Sequence, residues 1–153
     1  MKNDVEIGFR FWAATVPPKE ISIRTGIEAD VCFIKGERNS KLVLPRENLW
    51  AIRTHVESDY VEDHWCDLER MLGSKKEILK EIAQTGVAKI TIIINSSLRI
   101  PPIAIPPEMS AFAAFLNIEI EIAHFSSWDI FVDKDCSLLV CRLLPASVAR
   151  SEL

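Results

Sequence analysis

The sequence predicts an α+β fold, a two-layer sandwich with helices on one face of a mainly antiparallel sheet. Three observations carry that expectation. Apolar and polar residues alternate over 5–14, 49–57 and 118–122, the period-two pattern of half-buried strands. Helical stripes with proline starts or capping residues stand between these runs, and helices interleaved with strands imply two packed layers. The chain has 153 residues, 48% hydrophobic and 26% charged, as expected for one globular domain.

The first strand puts Val5, Ile7, Phe9, Phe11 and Ala13 on one side and Glu6, Arg10 and Trp12 on the other. Pro17-Pro18-Lys19-Glu20 opens a short helix, because proline suits a first turn whose N–H groups have no helical partner. Gly26 stops that helix. Residues 29–35 form a second, mostly buried strand ended by Gly36, with Cys32 as a small buried hydrophobe. The polar residues 37–41 make a loop. In 49–57, Trp50, Ile52, Thr54 and Val56 face one way, and Ala51, Arg53, His55 and Glu57 the other.

Asp59, with Glu62 three positions on, caps the longest helical signal, whose stripe is Val61, Trp65, Leu68 and Leu72. Gly73 interrupts it. Ser74-Lys75-Lys76-Glu77 is a fresh capping box for a segment carrying Ile78, Leu79 and Ile82, which Gly86 ends. Two helices, or one with a break, fit equally well. Ile90-Thr91-Ile92-Ile93-Ile94 is β-branched throughout and reads as a central strand covered on both sides. Pro101, Pro102, Pro106 and Pro107 surround an extended piece and launch a helix with Met109, Phe112, Ala113 and Leu116 as its stripe. In the last strand Ile118, Ile120 and Ile122 point inward and Glu119 and Glu121 outward.

The resulting order is β-α-β-β-α-β-α-β. Its first six elements match the ferredoxin-like order, extended by one α-β unit. Residues 1–125 form the single α+β domain. Residues 126–153 are a C-terminal extension docked on it, with 129–132 a candidate strand and the last residues frayed.

The chain resembles the bacterial domain of unknown function 4279 family over roughly residues 5–125. The resemblance rests on Pro18-Lys19-Glu20-Ile21, Thr25-Gly26-Ile27, Gly36, Leu49-Trp50, the long helix from Val61, and Phe115-Leu116-Asn117-Ile118 leading into Ile120 and Ile122. It implies a stand-alone, single-domain cytoplasmic protein and carries no catalytic residues with it. The segment beyond Phe125 departs from the family pattern.

Composition excludes several function classes. Charge sums to −4 with pI near 5.4, so no broad basic surface for nucleic acid is expected. The longest uncharged run, between Glu108 and Glu119, has ten residues, against about 20 for a membrane span. The start of the chain lacks the apolar core of a signal peptide, which makes a cytoplasmic location the expectation. Glycines at 8, 26, 36, 73 and 86 are never closer than ten positions. That spacing removes the glycine-rich phosphate loops and the nucleophile elbow, and no cofactor is expected. Cysteines at 32, 66, 136 and 141 contain no Cys-x-x-Cys pair and read as reduced thiols.

Most chemical constellations have a plainer explanation. His64 and Cys66 lie about 200° apart on a helix, so they are polar helix residues beside Trp65 and no metal site. A thiol nucleophile, Cys66 or Cys32 with His55, lacks any local activating group. Asn95-Ser96-Ser97 is a polar strand end. Glu119 and Glu121 share a strand face about 6–7 Å apart, and solvated charges that blunt an edge explain them better than acid–base catalysis.

The remaining set is Arg10 and Trp12 on the first strand with Arg53 and His55 on the third. Neighbouring strands would gather these four on the sheet face free of helices, with Glu119 and Glu121 at its rim. Tryptophan and arginine anchor interfaces through area, stacking and forked hydrogen bonds. The leading expectation is a non-enzymatic binding protein that engages a protein partner through this open face or acidic rim. An immunity-type inhibitor masking a basic toxin suits the size and charge. The alternatives are a sensor or enzyme for an anionic small molecule, using Arg10, Arg53 and His55, a structural homo-oligomer, and a face covered by the C-terminal extension or a dimer.

Overall fold

The computed structural model describes residues 4–38, 45–96 and 100–125. Among these described residues, five strands and four helices follow in the expected order. They are β1 (Asp4–Trp12), α1 (Pro18–Thr25), β2 (Val31–Phe33), β3 (Leu49–Arg53), α2 (Val61–Leu72), α3 (Lys76–Ala83), β4 (Val87–Asn95), α4 (Pro107–Leu116) and β5 (Glu119–Phe125), with a 3-10 turn at Gly73–Lys75 joining α2 to α3. The sheet order is β2-β3-β1-β4-β5. Every pairing is antiparallel except β4 with β5, which α4 joins as a parallel crossover.

Alternation decides which side of the sheet the helices cover. Val5, Ile7, Phe9 and Phe11 of β1 join Trp50 and Ile52 of β3 and Ile90, Ile92 and Ile94 of β4 in one buried cluster. The stripes of all four helices close on it: Ile21 from α1, Trp65 and Leu68 from α2, Leu79 from α3, and Met109 and Phe112 from α4. Aromatic edges organise its centre. Phe9 meets Phe11 at 5.0 Å between ring centroids and Phe112 at 6.4 Å, and Trp65 meets Phe112 at 5.4 Å, all edge-on, the arrangement ring quadrupoles favour.

Hydrogen bonds hold the α2 side of this layer. Thr54 Oγ1 accepts from the Ile7 N–H at 3.1 Å and lies 2.7 Å from His64 Nδ1, while His64 Nε2 lies 2.9 Å from the Ser58 carbonyl. Only one tautomer satisfies all three contacts: Nε2–H donates to Ser58 and Nδ1 accepts the Thr54 hydroxyl proton. His64 is therefore a buried structural residue stitching α2 to β1 and to the end of β3, where the sequence reading made it simply a polar helix residue beside Trp65.

Several local expectations are corrected. The helix-start position before α2 is Tyr60, without a side-chain cap. Ser58 takes over from Asp59, accepting the Tyr60 N–H and donating to the Asp63 carboxylate. Ser74 caps nothing, because it lies inside the 3-10 turn. Gly86 does not end α3, which stops at Ala83. It is needed for close approach: a Cβ there would sit 2.7 Å from the Ala14 backbone and 2.8 Å from the Trp12 carbonyl. Gly26 closes α1 at φ 70° as expected. Cys32 is exposed, because β2 is a three-residue edge strand. Ile118 and Ile120 reach the core, but Ile122, midway along the edge strand β5, is left exposed. The candidate strand 129–132, Cys136, Cys141 and the docking of the extension lie outside the described residues.

Candidate functional site on the second sheet face

The face turned away from the helices is built in cross-strand rows. One row runs Ala51, Arg10, Lys89, Glu119, and the next runs Arg53, Gly8, Thr91, Glu121. A third places Ile93 between Glu6 and Ala123. The adjacency of β1 and β3 expected from the sequence thus holds, and Glu119 and Glu121 share the face of Arg10.

Charges on this face are matched across strands. Arg10 Nη2 donates to Glu121 Oε2 at 3.2 Å, and the Thr91 hydroxyl lies 3.5 Å from the same oxygen. Lys89 Nζ is 3.2 Å from Glu119 Oε2, and Arg53 Nη1 is 4.0 Å from Glu6 Oε1. The acidic rim is therefore a set of ion pairs. Burial lowers the pKa of the Arg10 guanidinium, and the Glu121 carboxylate opposes that shift. Among the described residues, Arg10 Nη1 and Arg53 Nε are buried without a hydrogen-bond partner.

The expectation of an open face needs correction at its centre. Arg10 is 5% exposed, Ala51 2% and Ile93 5%. Ala51 and Ile93 form a second, small apolar cluster against which Val31 and Phe125 pack. Only the rim is accessible: Glu119 keeps 76% of its side-chain exposure and Glu121 43%, and Trp12 is half-buried.

His55 does not join the other candidates. β3 ends at Arg53, so the alternation that would have carried His55 onto this face stops two residues early. Asp30, just before β2, explains the end of the strand. Its Oδ2 accepts the Arg53 N–H at 2.8 Å, and its Oδ1 lies 3.1 Å from His55 Nε2. Sequence reasoning missed Asp30, Lys89 and Thr91. Their roles depend on register between strands far apart in the chain, which no local pattern carries.

On the helix layer, Glu69, Lys76 and Glu108 line a shallow cleft of about 440 Å³ floored by Phe112 and Phe115. Lys76 and Lys80 stand 5.0 and 4.5 Å from the Phe115 ring centre, close enough for cation–π attraction. His64 is buried and Cys66 exposed on α2, so the two cannot share an ion. Among the described residues, no group of three or more His, Cys, Asp or Glu is placed to hold a metal, and no helix is long and apolar enough to cross a membrane.

One helical layer on a five-stranded, mostly antiparallel sheet, with an ion-paired second face, defines the protein as an α+β sandwich. The chain belongs to the family described as Domain of unknown function (DUF4279), whose model matches residues 3–125. That match ends with the last residue of β5. No curated protein and no solved structure matches the chain.

Proposed function

We propose that this is a non-enzymatic binding protein that engages a protein partner through the acidic rim of the second sheet face. The observation that carries this reading is the accessible rim, where Glu119 and Glu121 stay exposed while paired with Lys89 and Arg10. Exposed charges held in place by such pairs steer and orient a partner of complementary charge. Trp12 at the border supplies the kind of side chain that anchors such contacts. The net charge of −4 favours a basic partner, and an immunity-type inhibitor of a basic toxin is the form that fits size and charge. The order β4-β1-β3-β2 with antiparallel pairing supports reading the first six elements as a ferredoxin-like core.

A second reading has one observation of its own. The unpaired Arg10 Nη1 and Arg53 Nε are donors that a carboxylate or phosphate would satisfy. His55, the proton carrier in that reading, is held apart from Arg10 and instead bonds Asp30, so the two arginines support anion binding, as in a sensor.

Affinity capture from the cells that make the protein tests the leading reading. The wild type and Ile23→Ala, altered at an exposed position of α1, should retain the same basic protein. The double variant Trp12→Ala, Lys89→Glu should lose it. Equal retention by all three chains would refute the face as the interface, and a concentration-dependent mass without any partner would favour the homo-oligomer.

A further inference from the structure

The geometry points to a small-molecule site in the helix layer, in the cleft between α2, α3 and α4, for a zwitterionic amino acid with an aromatic side chain. The site shares no residue with the rim proposed above as an interaction surface. Three observations lead there. First, the size and the floor fit. The cleft holds about 440 Å³ above Phe112 and Phe115, within the roughly 300–1,000 Å³ of ordinary ligand pockets. Two phenyl rings beneath it offer faces and edges to a third.

Second, the walls carry both signs of charge and leave them unpaired. Glu69 of α2, Lys76 at the start of α3 and Glu108 in the first turn of α4 all line the cleft. Opposite charges around one cleft would ordinarily close on each other. Yet among the described residues Glu69, Lys76, Lys80 and Glu108 form no ion pair. Lys76 and Lys80 instead share the Phe115 ring. Like charges four positions apart on a helix disfavour each other, so a ligand carboxylate beside these lysines relieves a repulsion as well as making a pair. The two glutamates in turn take an ammonium group. A simple anion or a simple cation would leave one sign unmatched; a zwitterion matches both.

Third, the cleft is kept open by a glycine that the backbone does not need. Gly73 has right-handed helical angles, φ −58° and ψ −40°, where alanine is favoured over glycine. A Cβ there would meet only Glu69 Cγ, at an ordinary 3.7 Å, so packing does not demand glycine either. Its missing side chain leaves the wall between Glu69 and Lys76 bare.

Titration of the full, isotope-labelled chain with L-phenylalanine, followed by amide chemical shifts, tests this. The amides of Gly73, Lys76 and Ala111 should shift while Thr91, on the sheet face, stays unmoved, with a Kd on the order of 1 mM for so open a cleft. Phenethylamine and 3-phenylpropionate each lack one charged group and should bind about fivefold more weakly. Glu69→Gln and Lys76→Met, both at exposed positions, should each weaken L-phenylalanine by a similar factor, and Glu69→Gln should leave 3-phenylpropionate unaffected. Gly73→Leu, which fills the opening, should abolish binding; the two charge variants decide the matter if that chain fails to fold. No shift at about 10 mM L-phenylalanine, shifts centred on Thr91, or equal binding of the three compounds would overturn the inference.

Discussion

Thr54 shows how much one side chain can hold when it is buried and fully bonded. Its hydroxyl serves the Ile7 amide and the His64 ring together. Thr54→Val keeps the shape and removes both bonds, stranding a buried N–H and a ring nitrogen. Each stranded group costs about 1–3 kcal/mol, so chemical denaturation should show a loss of at least about 2 kcal/mol. Gly86 acts through space instead. An added methyl meets Ala14 backbone at 2.7 Å, and rigid backbone cannot give way as a flexible side chain can. Gly86→Ala should therefore destabilise by about 1–3 kcal/mol in the same assay, whereas Gly73→Ala, with only the Glu69 side chain at 3.7 Å, should not. Cys32 is exposed, but burial of part of its surroundings raises its pKa, with Lys19 opposing and Glu37 reinforcing. Less thiolate forms at a given pH. Its alkylation midpoint, followed by mass spectrometry, should lie above that of a model thiol.

At the level of elements, the Arg10–Glu121 pair joins β1 to the edge strand β5 across β4, which lies between them. Glu121→Leu removes a counter-charge bonded to Arg10 while the guanidinium remains buried. A hydrogen bond to a charged group contributes about 1.5–3 kcal/mol. Half-exposure of Glu121 places the expected loss toward the lower end, readable in thermal unfolding. The partner variant Lys89→Leu should cost far less, because Glu119 is mostly exposed and surface pairs contribute about 0–1 kcal/mol. Helix α4 follows a different rule. Its Phe112 touches both Phe9 and Trp65, so Phe112→Ala opens a cavity between the layers and should cost about 3–5 kcal/mol.

Across the whole molecule, the order of elements and the helix-covered face were legible in the sequence, because period-two and helical stripes are local patterns repeated often enough to read. The β-branched run 90–94 even carried the sign that its second face is covered, and both Thr91 and Ile93 are buried there. The candidate site was legible only in part. Arg10, Trp12, Arg53, Glu119 and Glu121 were correctly assigned to one face, since alternation sets the side from which each residue projects. His55 was misplaced because Asp30, more than twenty positions away, accepts the Arg53 amide where the strand stops. Burial of Arg10 was hidden for a similar reason: a residue's parity in a strand names its face, never what lies over that face.

Residue order alone thus determined the strands, the helices and the side of the sheet on which each chemical group stands, because these follow from bonding within a few neighbouring residues. Only tertiary structure decided which carboxylate meets which arginine, where β3 ends and how deeply the centre of the second face is buried. Those outcomes depend on register and coverage between segments distant in the chain, and such contacts leave no mark on the local pattern of either segment.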